Sequence, residues 1–142
     1  MRTVRQLLET KSSEIHSISP DAPVIDAIRL MAERRIGALL VMEGPRLVGM
    51  LSERDYARKI VLQGRSSKDT PVRDIMTGDV VSVSPQHNTD QCMQLVTDSR
   101  IRHLPVLENG QVIGLISIGD LVKAVIQAQQ QELDHLQRYI AS

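Results

Sequence analysis

The chain has 142 residues, room for one compact domain or two small half-domains that share a core, and its apolar fraction of 42% is ordinary for a globular protein. Lys plus Arg and Asp plus Glu both number 17, so no net charge draws the chain to a nucleic-acid backbone or an anionic membrane. Only Tyr56 and Tyr139 are aromatic, which leaves nothing for the stacking platforms of single-strand binders and requires an aliphatic core.

The N-terminus "MRTVRQLLETK" opens with a charge but lacks the apolar stretch of about 7 residues that a secretory signal needs. An organellar peptide is open in principle but is not expected, because the repeat described below begins close to Met1. Cys92 is the one cysteine and cannot form an internal disulfide, and no apolar run approaches the roughly 20 residues of a membrane span. A reducing, soluble, cytoplasmic setting is expected.

Along the chain, "VRQLL" (Val4 to Leu8) reads as a short N-terminal helix, and a strand over Ile15–Ser19 ends at Pro20. Val24, Ala27, Ile28 and Met31 then fall on one helical stripe. Two apolar runs follow, "ALLVME" and "RLVGMLS", joined by Gly44-Pro45, and a second helix starts just after Ser52. The polar stretch Leu62 to Pro71 is a linker whose Thr70-Pro71 signals a helix start. From there the order repeats. "VRDIM" (Val72 to Met76) answers "VRQLL", a strand is expected over Val80–Val83, and Cys92, Leu95 and Val96 form the matching stripe. "HLPVLE" and "QVIGLIS" are joined by Asn109-Gly110, a strong signal for a type I′ hairpin, and a helix begins after Ser117.

One constant offset carries Ser17-Ile18-Ser19-Pro20 onto Ser82-Val83-Ser84-Pro85, Arg35-Ile36 onto Arg100-Ile101, Gly49 onto Gly114, Ser52 onto Ser117 and Asp55 onto Asp120. Upstream the offset is larger, so the first copy carries three extra residues somewhere in Thr10 to His16. The fold expected is α+β, a tandem β-α-β-β-α repeat. Neither copy has enough strands to cover a sheet alone, so the two should pack around a pseudo-twofold axis. The boundaries expected are 1–61 for the first repeat with its N-terminal helix, 62–71 for the linker, 72–126 for the second repeat and 127–142 for a C-terminal helical extension. That extension is amphipathic through Val122, Ile126, Leu133, Leu136 and Ile140, with a polar step at Gln129, and could cover the core or pair with a second chain.

The repeat's most distinctive stretch is "GMLSERD", Gly49 to Asp55, echoed by "GLISIGD", Gly114 to Asp120. A serine followed three residues later by an acid is a capping box, and either tetrapeptide alone reads as a helix start. Three features point further. A glycine precedes each serine by three residues, where a side chain would crowd anything lying against the strand end. A helix N-terminus offers unpaired amides and partial positive charge, a setting for phosphate. An aspartate one turn in is an acceptor-only group that suits the paired hydroxyls of a ribose.

A tandem β-α-β-β-α repeat with G-h-h-[ST]-x-x-D after the third strand and the step Leu104-Pro105-Val106 in the second resembles the CBS domain pair, or Bateman module, over about Val4 to Ile126. "RSSKDTPVRDIMT", "IRHLPV" and the extended tail are most similar to small stand-alone bacterial CBS-pair proteins. The resemblance implies an adenosine-containing ligand such as AMP, ATP, NAD or S-adenosylmethionine in clefts between the repeats, no metal needed for the fold, and a homodimer. It implies that Ser52 with Asp55 and Ser117 with Asp120 each serve one cleft, the aspartate holding ribose. Adenine would lie against Ile18 and Ala38 in copy one and Val81, Ile101, Leu104 and the adjoining Pro105 in copy two. Thr77 matches a position that often touches ligand, Arg102 and His103 match phosphate-binding positions, and Arg54 is also well placed for phosphate.

The copies are not equal: Gly37-Ala38-Leu39-Leu40 stands where the second has Arg102-His103-Leu104-Pro105, and Glu53-Arg54 where the second has Ile118-Gly119. The four histidines, His16, His87, His103 and His135, show no metal-ligand spacing, and Cys92 takes the place of Ala27 on an apolar face, where it should be buried and inert. Two functions follow from the sequence. One is a nucleotide-responsive regulatory module that is not an enzyme, acting on an unidentified partner. The other is a structural or interaction dimer whose clefts are vestigial.

Overall fold

The offset seen in the sequence reappears in the backbone of the computed structural model, which describes residues 2–11 and 14–141. Ser12 and Ser13, within the stretch where the first copy carries its extra residues, lie outside the described residues. Helices α2 (Val24–Arg34) and α4 (Thr89–Ser99) both end on an arginine in the left-handed region, Arg35 at φ 55° and Arg100 at φ 53°. This cap returns the next amide to the last helical turn: Ile36 N donates to Met31 O and Ile101 N to Val96 O, each at 3.1 Å. The chain divides into two compact units, one built on the first repeat (14–80, with 110–112) and one on the second repeat together with the N-terminal segment.

In the first-repeat unit, β1 (Ser17–Ile18) runs parallel to β2 (Ala38–Glu43), pairing Ser17 with Leu40 and Ile18 with Val41. β3 (Arg46–Ser52) is antiparallel to β2, from Ala38 opposite Ser52 to Glu43 opposite Arg46, with a bulge between Val41 and Met42. Gly44 at φ 60° followed by proline gives the sign pattern of a type II′ turn. α2 lays Val24, Ala27 and Met31 into a core with Leu39, Val41, Leu51, Ile60, Val72 and Ile75. Its N-cap is Pro23, which offers no side-chain acceptor. The linker supplies the acceptors instead: Val24 N and Ile25 N donate to the carbonyls of Thr70 and Ser67, both at 2.9 Å. Thr70 is buried although most of 62–71 is exposed.

In the second-repeat unit, the N-terminal helix α1 (Val4–Glu9) is capped by a Thr3–Gln6 box and tied down by Val4 N donating to His87 O at 2.7 Å. Val4 and Leu7 enter a core with Val83, Cys92, Val96, Leu104, Val106, Ile116, Leu121 and Ala124. β4 (His103–Glu108) and β5 (Gln111–Ser117) form the hairpin, and Asn109 at φ 54° with Gly110 at φ 77° make the expected type I′ turn. The strand expected over Val80–Val83 is not formed. A single parallel bridge, Val83 to Val106, replaces it, with Val83 N donating to Pro105 O at 3.0 Å and Leu107 N to Val83 O at 2.9 Å. The next rung toward Val81 would need an amide at residue 105, and proline has none. The equivalent rung exists in the first repeat, where Leu40 N donates to His16 O at 3.3 Å.

The closing helices start where the capping boxes predict but differ beyond that. After one turn, α3 (Glu53–Tyr56) widens into a π-helical turn over Ala57–Val61, whereas α5 (Ile118–Ala141) is continuous for 24 residues. The widening adds a residue to the turn, so Ile60 faces the first core, while α5 buries Ala124, the counterpart of Lys59. Past Ala124 the apolar residues Ile126, Leu133, Leu136 and Ile140 are exposed, so the tail does not cover the core. Among the described residues, no helix is long and apolar enough to cross a membrane.

The glycines ahead of the boxes accommodate the chain itself. A Cβ on Gly49 would lie 2.6 Å from Met76 Sδ and 2.9 Å from the Thr77 carbonyl oxygen, and one on Gly114 would lie 2.6 Å from Leu8 Cδ2. The leucine tip can rotate away, whereas the Thr77 carbonyl is held by a hydrogen bond from Met50 N at 2.9 Å. Gly49→Ala is therefore expected to cost about 1–3 kcal/mol in urea unfolding, and Gly114→Ala less.

Candidate functional site

Each hairpin delivers a serine to the strand–helix junction, and the backbone fixes it the same way twice. Glu53 N donates to Gly37 O at 3.1 Å and Ile118 N to Arg102 O at 2.8 Å, so the first helical residue is anchored to the entry of the strand opposite. Ser52 N donates to Asp55 Oδ2 at 3.0 Å and Asp55 N to Ser52 Oγ at 3.2 Å. The second repeat gives the same pair, Ser117 N to Asp120 Oδ2 at 2.8 Å and Asp120 N to Ser117 Oγ at 3.1 Å. Both are complete capping boxes, and both use only Oδ2 of the aspartate. The second carboxylate oxygen is no part of the box.

Lysines separate the two sites. In the first-repeat unit Lys59, one turn after Asp55, lies 3.5 Å from Asp55 Oδ1 and donates to Ile75 O at 2.9 Å. In the second-repeat unit Lys11 donates to Asp120 Oδ2 and to Leu115 O, both at 2.6 Å. Leu115 is the counterpart of Met50, whose carbonyl accepts from Thr77 N at 2.8 Å. Burial alone would raise the Asp120 carboxyl, but the Lys11 ammonium and the Ser117 hydrogen bonds outweigh it and hold it below the usual aspartate value.

The other expected site residues fall out by unit. In the first, Ala38 is buried directly opposite Ser52, Ile18 packs against the core, Arg54 is exposed on the first turn of α3, and Thr77 is exposed while its backbone bridges Met50. In the second, Val81 and Ile101 pack against the core, Arg102 is exposed, and His103 is half-buried at the start of β4. Leu104 is fully buried in the core and Pro105 is buried beside it, so a ligand reaching these two would meet main chain. Cys92 is fully buried, and burial pushes its thiol up, away from the reactive thiolate. Sequence reasoning missed both lysines. Lys59 stands at i+4 from Asp55, a spacing that pairs charges on a helix, but no local pattern marks Lys11 as a partner of Asp120.

Residues 4–62 and 72–127 each match the family model described as "CBS domain". The chain is 46% identical over 125 residues to the CBS domain-containing protein CBSX3, mitochondrial, of Arabidopsis thaliana, covering 84% of this chain and 61% of that one. It therefore spans less than two thirds of that relative. It is 33% identical over 113 residues to the CBS domain-containing protein YhcV of Bacillus subtilis, covering 80% of each. Among solved structures, a candidate signal-transduction protein with CBS domains from Burkholderia ambifaria superposes with a TM-score of 0.87 at 55% identity, covering 90% of this chain and 96% of that one.

Because Asp120 is more acidic in the folded chain than in the unfolded one, its contribution to stability is complete above the unfolded value of about 3.9 and is lost as pH falls through the lower folded value. Asp120→Asn is expected to flatten the loss of stability on acidification below about pH 4. Urea unfolding of both proteins across pH 2.5–7, for which roughly half-unit steps suffice, checks this; parallel pH curves would refute it.

Proposed function

The chain belongs to the CBS-domain family, and we propose that it is an adenine-nucleotide-responsive regulatory module rather than an enzyme. The observation that carries this reading is the pair of half-buried aspartates, each oriented by its own capping box through one oxygen and so holding the other in a fixed place. A ribose presents two neighbouring hydroxyl donors, and an acceptor-only carboxylate is suited to them. Ser52, Asp55 and Thr77 with Ile18 and Ala38 would serve one ligand, and Ser117 and Asp120 with Val81, Ile101, Leu104 and Pro105 another. Arg54 in the first set and Arg102 and His103 in the second would face phosphate. AMP, ATP, NAD(H) and S-adenosylmethionine all carry the shared adenosine.

A regulatory role is supported by the description of the 55% identical Burkholderia structure as a candidate signal-transduction protein. Ligand would act by favouring one arrangement of the chain over another and so changing what a protein partner meets. We place the protein in the cytoplasm, as the single buried thiol suits a reducing compartment, although the Arabidopsis relative is named mitochondrial. We also propose a homodimer, in which the exposed apolar residues of α5 are available for pairing.

Thermal shift with AMP, ATP, NAD, NADH and S-adenosylmethionine tests the reading. A ligand at 100 times its Kd adds about 2.7 kcal/mol, which raises the melting temperature by on the order of 10 °C in a domain of this size. Asp55→Ala and Asp120→Ala, made separately, should each remove part of the response. No shift with any ligand at millimolar concentration would favour the interaction protein with vestigial sites.

A further inference from the structure

We propose that Lys11 sets the charge selectivity of the Asp120 site, admitting adenosine ligands that carry a phosphate in preference to the neutral nucleoside. The proposal rests on the reading of Asp120 as a ribose anchor. Asp120 Oδ2 already accepts from Ser117 N at 2.8 Å and from Lys11 Nζ at 2.6 Å. A ribose diol brings two donors and needs both carboxylate oxygens, so its second hydroxyl competes with the ammonium for Oδ2. Binding therefore moves Lys11 off the carboxylate.

The displaced ammonium is side-chain exposed by only 32%, and it leaves a carboxylate exposed by 26%, so the exchange takes place in partly desolvated surroundings where loss of a counter-charge matters. A neutral nucleoside offers no negative charge in return. A nucleotide brings its own, and a lysine on its flexible four-carbon stem can follow it. Lys11 thus opposes adenosine and tolerates or assists AMP.

The first-repeat unit shows the contrast. There Lys59 stands 3.5 Å from Oδ1 of Asp55, too far for a good hydrogen bond, and is retained by the Ile75 carbonyl at 2.9 Å. The Oδ2 atom accepts from the Ser52 amide and hydroxyl at 3.0 and 3.1 Å, and the Lys59 ammonium pairs with the other oxygen. A diol at Asp55 would displace the neutral Ser52 hydroxyl from Oδ2, where at Asp120 it displaces an ammonium, so the proposal gives the two sites different charge selectivity although their boxes match.

Isothermal titration calorimetry with adenosine and with AMP decides the matter, using the full chain carrying Asp55→Ala so that the Asp120 site reports alone. Without a Lys11 change, AMP should bind more tightly than adenosine. Lys11→Met should reduce that preference by about three- to tenfold, tightening adenosine and weakening AMP, a size appropriate to one partly exposed charge-assisted hydrogen bond. Lys11→Gln, which keeps a donor for Leu115 O without the charge, should do the same and guards against a folding defect in the methionine variant. An unchanged AMP-to-adenosine ratio in both variants, with binding still abolished by Asp120→Ala, overturns the Lys11 proposal alone. Binding that survives Asp120→Ala, or no binding of either ligand, overturns the ribose assignment and Lys11 with it.

Discussion

In each unit the second hairpin strand has one edge paired to its neighbour and one edge whose carbonyl, at Met50 or Leu115, needs another donor. These residues are half-buried, where an unmade backbone hydrogen bond is costly. The first-repeat unit meets the need with backbone, Thr77 pairing with Met50 in both directions at 2.8 and 2.9 Å. The second meets it with a side chain, Lys11 reaching Leu115 O at 2.6 Å. In both cases a chain segment must lie against the strand one residue before that carbonyl. Gly49 and Gly114 follow from this: Met76 occupies the space beside one and Leu8 the space beside the other.

The choice of donor has electrostatic consequences. A backbone amide is neutral, so Asp55 draws its nearby cation from its own helix, through Lys59 at i+4. The counterpart of Lys59 is Ala124, which α5 buries in the core at 4% exposure, where a lysine would be desolvated. The π-turn after α3 is what frees position 59 for a charge, because it brings Ile60 to the core in that place. With no room for a lysine at 124, the cation on Asp120 comes from the N-terminal segment, and the ammonium that completes the strand edge also pairs with the aspartate.

Much of this architecture was legible because it is local. The repeat offset, the stripe of Val24, Ala27 and Met31, the Asn109-Gly110 turn and both Ser–Asp boxes are patterns within a few residues, and each is realised. The losses came where one residue acts at long range. Pro105 belongs to the family step by pattern, yet its missing amide is what reduces the expected strand at Val80–Val83 to one bridge. The glycines leave space beside the strand, but Leu8 and Met76 use it, from segments whose packing the pattern does not show. The resemblance sets Leu104 against adenine by position, and the core in which its side chain is buried is assembled from four other elements and a bridge. Lys11 and Asp120 are separated by 109 positions, and nothing periodic links them.

Capping and diol binding are compatible uses of one aspartate once its two oxygens are assigned. A capping box that used both aspartate oxygens would have to break before a ribose could bind, and helix stability would oppose ligand. Here the box uses Oδ2 in both repeats, so a diol that takes Oδ1 and displaces only the Ser52 hydroxyl or the Lys11 ammonium from Oδ2 would leave the backbone amide of the cap in place. The cap holds the acceptor oriented, and an acceptor already fixed would lose less freedom on binding. Under the proposed function, helix capping and diol recognition would be compatible at the level of one carboxylate, and what distinguishes the copies is the ammonium that shares it: at Asp55 it faces the oxygen outside the box, at Asp120 it sits on the oxygen inside.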